Sequence, residues 1–227
     1  MGNYNTGDRG NIMSLVQFTL THDYVLVGGD SRATDINTNI VSETHKKVVK
    51  IENDIIIGCS GNANDAYLLL SKYCNFSKEH GMTCKENIAI SYLQIIEELN
   101  KKYEEMKIVH CDKSDRYFDF TVVVCGYNGY DFEAVQYCLS HDPTEKIIGI
   151  VPIKVNEKSG VTCFLIGSKY IGIHNKNRYD ELVNIQPNTI LQHKNVMQNV
   201  FDKGITFDNT INNRCVYEKI KKKYFVK

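Results

Sequence analysis

A hairpin signature in the middle of the chain constrains the fold most. Asn128-Gly129 lies between two apolar runs, residues 118–125 and 132–138. This dipeptide favours the tight turn that joins two antiparallel strands, and the β-branched residues before it are typical of a buried strand. The sequence therefore predicts an antiparallel pair of strands at this point, and hence a sheet that needs partners on both faces.

Two further strand pairs are predicted in the first quarter of the chain. Apolar segments 15–20 and 24–29 flank a polar turn, and segments 48–51 and 55–59 flank a second one. Short apolar strands around polar turns again indicate hairpins. Further strands are predicted over 147–155, 161–166 and 215–220.

The hydrophobic period changes to that of a helix after Gly61. A helix is predicted from residue 63 to residue 74, with Asn62 as its cap. The pattern Thr83-x-x-Glu86 resembles a capping box, which predicts that a longer helix begins there. Its apolar stripe is interpreted as core packing and consists of Ile88, Tyr92, Ile95, Ile96, Leu99 and Tyr103. A last helix is predicted over 190–203.

This order of strands, two helices, strands, helix and strand indicates an α+β class protein with segregated layers. Two sheets between helix layers would bury both faces of the long apolar strands. The chain has 227 residues and only 3 prolines, with no repeat or linker. We expect one domain covering residues 1–227.

The charge balance argues against several classes of function. Lys+Arg and Asp+Glu both number 27, which removes the usual electrostatic case for nucleic acid or an anionic membrane. No apolar run is long enough to cross a bilayer, and the polar start lacks a secretory pattern. The 8 cysteines form no CxxC pair, so buried free thiols are expected, and no metal or cofactor.

Several short motifs occur in the order and spacing of a known family. They are Asp30-Ser31-Arg32-Ala33-Thr34, Lys47-Val48, the segment Gly58-Cys59-Ser60-Gly61 followed by Asp65, the strand end Cys125-Gly126-Tyr127, and Asn213-Arg214 near the end. Together they resemble proteasome β-subunits and the related bacterial protease HslV. The resemblance implies the four-layer αββα sandwich of N-terminal-nucleophile hydrolases.

The resemblance also assigns site residues. Asp30 matches the family aspartate after the first hairpin, and Lys47 matches the catalytic lysine, with the adjacent Lys46 as an alternative. Asp208 matches the aspartate of the C-terminal half. Active members of the family use an N-terminal threonine, whose α-amine acts as the general base.

The nucleophile is where the sequence departs from the family. Counting back from Asp30 without a gap places Ser14 at the threonine position, and a longer hairpin would place Gly10 or Asn11 there. No Gly-Thr junction occurs in the first 30 residues.

Two further family motifs are altered. Gly-Ser-Gly reads Gly167-Ser168-Lys169, and Ser-Gly-Gly reads Ile211-Asn212-Asn213. The second change puts an apolar side chain where a hydroxyl would serve. We therefore expect a chain without catalytic residues, in which Asp30, Lys47 and Asp208 are remnants of an active site.

The expected function is that of a non-catalytic structural β-type subunit of the 20S proteasome core particle, similar to the sixth β type. The resemblance implies heteromeric heptameric rings of α and β subunits that enclose unfolded polypeptides during ATP- and ubiquitin-dependent degradation. It also implies a location in cytoplasm and nucleus, with neither nucleic acid nor membrane as a partner.

Three alternatives stay open. Ser14 could be the nucleophile of an active peptidase subunit once thirteen residues are removed. The chain could build a homomeric particle like HslV. It could also be an unrelated α+β binding protein that shares the Asp-Ser-Arg-Ala-Thr segment by chance.

Overall fold

Two antiparallel sheets form the centre of the molecule. The computed structural model describes residues 14–34, 37–51, 54–77, 81–84, 91–111, 118–140, 148–167 and 189–222. The first sheet contains β1 (Leu15–Thr21), β2 (Tyr24–Asp30), β12 (Val161–Gly167) and β13 (Cys215–Lys221), in the order β12-β1-β2-β13. The second contains β5 (Val48–Ile51), β6 (Ile55–Gly61), β9 (Phe120–Tyr127), β10 (Phe132–Leu139) and β11 (Gly149–Lys154), in the order β11-β10-β9-β6-β5.

Three hydrophobic clusters separate four layers. One cluster lies between the two sheets and includes Phe18, Val27 and Val123. A second covers the other face of the second sheet, where α1 (Ala63–Leu70) and α2 (Tyr92–Cys111) pack. A third lies between the first sheet and α3 (Ile190–Gly204). Both faces of each sheet are therefore buried, which confirms the α+β class and the expected sandwich.

Two small hairpins complete the described strands. They are β3 (Ala33–Thr34) with β4 (Ile40–Ser42), and β7 (Cys74–Ser77) with β8 (Gly81–Cys84). The first lies in the polar segment that follows Asp30, for which no strand was predicted. The second replaces the predicted end of the first helix, because α1 stops at Leu70 and Cys74 already belongs to β7.

The predicted start of the second helix was wrong. Thr83 lies in strand β8, and α2 begins at Tyr92, so the capping-box pattern at Thr83 does not open this helix. The stripe is otherwise confirmed, since Ile95, Leu99 and Tyr103 are at most 1% exposed. Glu86 and Ile88 lie outside the described residues.

The third helix has a capping box that the sequence reading did not identify. Thr189 accepts a hydrogen bond from the backbone of Gln192, and the side chain of Gln192 binds back to the backbone of Thr189. The helix then continues to Gly204, close to its predicted span. None of the described helices is both long and apolar enough to cross a membrane.

Candidate functional site

Asp30 is the last residue of β2 and is completely buried. The backbone N–H of Leu15 donates to its Oδ1 at 2.8 Å, and the N–H of Arg32 donates to its Oδ2 at 3.1 Å. The carboxylate therefore holds the start of β1 and the exit from β2 together. Both bonds favour the charged form of the carboxylate.

Lys47 lies just before β5 and forms an ion pair with Asp30. Its Nζ is 2.9 Å from each carboxylate oxygen, and its side chain is 5% exposed. Gly29 allows the two segments to approach, because a Cβ there would lie 2.7 Å from a methyl group of Val48. The structure thus brings Asp30 and Lys47, two of the residues that the resemblance assigns, into direct contact.

Burial acts against both charges of this pair. Desolvation raises the pKa of Asp30, and the charge and hydrogen bonds of Lys47 oppose that rise. Desolvation likewise lowers the pKa of Lys47, against the opposing charges of Asp30 and, more weakly, of Asp208. The largest compensation for each buried charge comes from the other member of the pair, through direct contact.

Asp208 follows α3 and is 5% exposed. Its Oδ1 accepts hydrogen bonds from the backbone N–H and the hydroxyl of Thr210, at 2.9 Å and 2.5 Å. Its Oδ2 is buried and has no hydrogen-bond partner among the described residues. The structure therefore brings Asp208 into the electrostatic environment of Lys47 without a direct bond.

Ser14 directly precedes β1 and is 4% exposed. Gly167 lies against it with a φ of +110°, and a Cβ at that glycine would be 1.6 Å from the carbonyl oxygen of Ser14. Glycine is therefore required at position 167. Ser14 borders the same cavity as Lys47.

The cavity has a volume of about 270 Å³ and opens beside the start of α1. Gly61, at the end of β6, has a φ of +87°, and this conformation turns the chain from the strand into the cap of the helix. The cavity is lined by Ser14, Arg32, Ala33, Thr34, Val41, Ser42, His45, Lys46, Lys47, Cys59, Ser60, Gly61, Asn62, Ala63, Asn64, Ala66 and Tyr67.

A polar cluster beside the cavity was missed by sequence reasoning. Glu43 binds the Arg32 guanidinium at 3.0 Å and accepts from the Asn212 side chain at 2.5 Å. Asn212 in turn accepts from the backbone N–H of Ser31 at 3.0 Å. We call Arg32, Glu43 and Asn212 the Glu43 cluster, and it fastens the β3–β4 hairpin to the loop after α3.

Ile211 anchors the same loop in the core. Ile211 is fully buried in the cluster between the first sheet and α3, together with Met197 and Phe201. The residue that replaces the expected serine thus packs into the core. The described residues hold no group of three or more His, Cys, Asp or Glu side chains arranged to bind a metal.

Comparison with known proteins identifies the fold. A protein-family model described as "Proteasome subunit" matches residues 20–128. The fold is also similar to that of eukaryotic HslV from Trypanosoma brucei, with a TM-score of 0.59 and 16% identity over 92% of this chain and 99% of that one. This chain has the proteasome-type N-terminal-nucleophile hydrolase fold.

A bacterial relative of the same fold gives similar values. Anbu (ancestral beta-subunit) from Yersinia bercovieri matches with a TM-score of 0.60 and 14% identity, over 91% of this chain and 81% of that one. No curated protein matches the chain in sequence. The family model covers less than half of this chain, so the side chains of the site must be interpreted from their own geometry.

Proposed function

We propose that this chain is a non-catalytic structural β-type subunit of a proteasome-type particle. The observation that carries the proposal is the loop after α3. There Ile211 is fully buried, and Asn212 binds both the Ser31 backbone and Glu43. The loop that would support a nucleophile in the resembling family is used in this chain to hold the pocket wall and the outer helix together.

The chemistry at Ser14 supports the same function. A hydroxyl needs an adjacent base to attack a peptide, and in this family the base is the α-amine of the nucleophile itself. In this sequence Ser14 follows Met13, and the Gly-Thr junction that active members cleave to free that amine does not occur in the first 30 residues. The Asp30–Lys47 pair then serves as a buried connection between strands, and it acts on no reaction.

The proposed role of the chain in a particle is structural. A ring built from side-by-side subunits closes only when each heterologous contact has the right angle. We propose that this chain fills one position in a heteromeric β-ring, contacts an α-ring, and forms part of the wall of a chamber for unfolded polypeptides. A β6-like position, ATP- and ubiquitin-dependent degradation, and a location in cytoplasm and nucleus belong to the same proposal.

A second candidate is an active serine peptidase subunit, in a homomeric particle like HslV. The specific observation in its favour is that Ser14 and Lys47 line one cavity, beside the Ser60-Gly61 turn. The likeness to the HslV of Trypanosoma brucei agrees with it. It requires cleavage of the Met13–Ser14 bond, which would convert the amide of Ser14 into an α-amine with a pKa near 8.

An inhibitor experiment separates the two candidates. A peptide epoxyketone needs both a hydroxyl and the neighbouring free α-amine, so it labels only a processed N-terminal nucleophile. We expect no mass increase on this chain when the native particle is treated, and unchanged peptide hydrolysis in the Ser14→Ala variant. One inhibitor bound to this chain, lost in Ser14→Ala, would establish the active candidate, and native mass with subunit composition would show whether the ring is mixed.

A further inference from the structure

The hairpin of β7 and β8 forms a two-stranded sheet of its own, outside the two central sheets. β7 begins shortly after α1 and lies beside it, whereas β8 lies beside β5, the last strand of the second sheet. A ribbon of two short strands is only marginally stable in water. Contacts or a cross-link between its strands therefore decide how firmly this hairpin holds together.

The register of the hairpin places two cysteines directly opposite each other. Cys74 is the Cα partner of Cys84, and Asn75 is the partner of Thr83 in the same antiparallel ladder. Directly opposite residues share one face of a ribbon, with Cα atoms about 4.5–5.5 Å apart. Disulfides join residues whose Cα atoms are about 4.4–6.8 Å apart. The backbone placement of the two cysteines therefore meets the distance requirement of a disulfide.

The other strand cysteines have no cysteine opposite them. Their partners in the ladders are Val122 for Cys59, Ile56 and Ala134 for Cys125, Thr121 and Gly149 for Cys138, Thr19 for Cys163, and Asp30 for Cys215. All five have free thiols. Within the described strands, the pairing of two cysteines is thus specific to the hairpin of β7 and β8.

Burial also keeps the thiols of several other cysteines unreactive. It raises the pKa of Cys163 to about 11 and the pKa of Cys215 to about 12, and it raises the pKa of Cys125 as well. The thiolate is the form that attacks a disulfide, so these groups exchange slowly near pH 7. They serve as internal controls for any oxidation at the hairpin.

We infer that Cys74 and Cys84 are a reversible oxidation site, at which a disulfide closes the hairpin of β7 and β8. The oxidant is a small-molecule disulfide such as glutathione disulfide. The thiolate of one cysteine attacks it, forms a mixed disulfide and releases one glutathione. The second cysteine then attacks the protein sulfur of that mixed disulfide and releases the other glutathione. One S–S bond breaks and one forms, and the two protons and two electrons of the protein thiols pass to the two glutathione molecules.

The disulfide would join the strand beside α1 to the strand beside β5. A cross-link of this kind stabilises a fold mainly because it restricts the unfolded chain. The oxidised protein should therefore resist unfolding better than the reduced one, and a reducing thiol pool should reverse the effect. The inference uses only the register of the hairpin, so it holds for either candidate function of the chain.

Thiol exchange on the purified full chain tests this inference. The protein is equilibrated with glutathione and glutathione disulfide at several ratios, then denatured and blocked with N-ethylmaleimide in one step. Tryptic cleavage after Lys72, Lys78 and Lys85 puts Cys74 and Cys84 on two separate peptides. Digestion without reductant then reveals the disulfide by mass spectrometry as a linked peptide pair, lighter than the sum of the two peptides by the hydrogens of both thiols.

We expect the linked pair to form in the folded protein while the other cysteines remain blocked by N-ethylmaleimide. Its equilibrium constant should be about tenfold or more higher than in concentrated urea, because the unfolded chain must first close the loop between the cysteines. Cys84→Ser should abolish the linked pair. Cys215→Ser, the same change at a partly exposed cysteine outside the hairpin, should leave it unchanged.

A register variant separates strand pairing from mere closeness in sequence. Cys74→Ser combined with Asn75→Cys moves the thiol by one residue, opposite Thr83 and on the other face of the ribbon. The equilibrium constant for a bond to Cys84 should then fall to that of the unfolded chain. The inference is overturned if the folded protein gives no linked pair, if it gives only mixed disulfides with glutathione, or if the register variant or urea leaves the constant unchanged.

Discussion

The Nζ of Lys47 lies 2.9 Å from both carboxylate oxygens of Asp30, and both side chains are buried at the same point of the sandwich. Asp30 also accepts backbone hydrogen bonds from Leu15 and Arg32. One carboxylate thus joins the start of β1, the end of β2 and the segment before β5. In the proposed function this pair connects the two sheets, and it needs no nucleophile to be useful.

Removing Lys47 should destabilise the fold strongly. Lys47→Met leaves the charge of Asp30 buried without compensation, which costs about 3–5 kcal/mol in the free energy of unfolding. Urea denaturation of the purified chain measures this loss. Lys46→Met changes the adjacent exposed lysine and should cost less than about 0.5 kcal/mol.

A double variant identifies the cause of that loss. Asp30→Asn combined with Lys47→Met removes both charges and keeps an oxygen that can accept a backbone N–H. It should recover part of the stability lost in Lys47→Met. If the double variant is less stable than Lys47→Met alone, an uncompensated charge is not the source of the effect.

The Glu43 cluster should contribute measurably to the stability of the pocket wall. Asn212→Ala removes the acceptor of the Ser31 backbone N–H and a donor to Glu43, which should cost about 1–3 kcal/mol. Thermal or urea unfolding measures the change. Asn213→Ala, at the neighbouring exposed position, is the matched control, and equal losses in the two variants would contradict the assigned role.

The stability that the Glu43 cluster contributes should fall in acid. Hydrogen bonds from Asn212 and Arg32 lower the pKa of Glu43 below its ordinary value of 4.5. A carboxyl with a lowered folded-state pKa contributes stability above pH 4.5 that is lost as the pH falls through the folded-state value. Glu43→Gln should therefore be less stable than the wild type near pH 7, and the difference should shrink below pH 4.5.

His45 should make the fold less stable in mild acid. Burial lowers its pKa from 6.5 to about 4, so between these values the unfolded chain binds a proton that the folded chain does not. Stability contributed by the neutral ring therefore falls as the pH drops from 6.5 towards about 4. Unfolding free energies from pH 7 to pH 4 should decline less steeply in His45→Phe, and parallel curves would contradict the burial of this ring.

Gly126 should be irreplaceable where it meets α2. A Cβ at this position would lie 2.1 Å from the ring of Tyr92, whereas a Cβ at Gly149 meets nothing within 4 Å. Gly126→Ala should cost about 1–3 kcal/mol through overpacking, and Gly149→Ala should be close to neutral. Chemical denaturation of both variants measures the contrast, and a neutral Gly126→Ala would show that α2 packs differently.

Elements with a strong local pattern were predictable from the sequence. The hairpins β1–β2, β5–β6 and β9–β10 were predicted because polar turns separate apolar runs, and the span of α3 was predicted closely. The end of α1 was not, because the apolar period continues past Leu70 to Cys74, which the structure places in β7. The capping-box pattern at Thr83 gave a wrong helix start for a similar reason. Two residues at capping spacing do not show that the segment pairs as a β-strand instead.

Residues of the site were predictable only where they belong to a motif shared with the family. Asp30 and Lys47 were assigned by resemblance, and the ungapped count from Asp30 back to Ser14 agrees with the pairing of β1 and β2, which has no bulge. The Glu43 cluster joins residues 169 positions apart, so no local pattern announces it. No sequence pattern marked His45, because its low pKa arises mainly from burial in the folded chain.

The intact mass of this chain, isolated from its native particle, tests the central claim most directly. We predict a mature polypeptide that retains Met13 or a residue before it, so that the nitrogen of Ser14 stays within a peptide bond. A mature chain that begins at Ser14 would contradict the account. Ser14 would then carry a free α-amine beside Lys47 and Asp30, and the remnants described here would be a working active site.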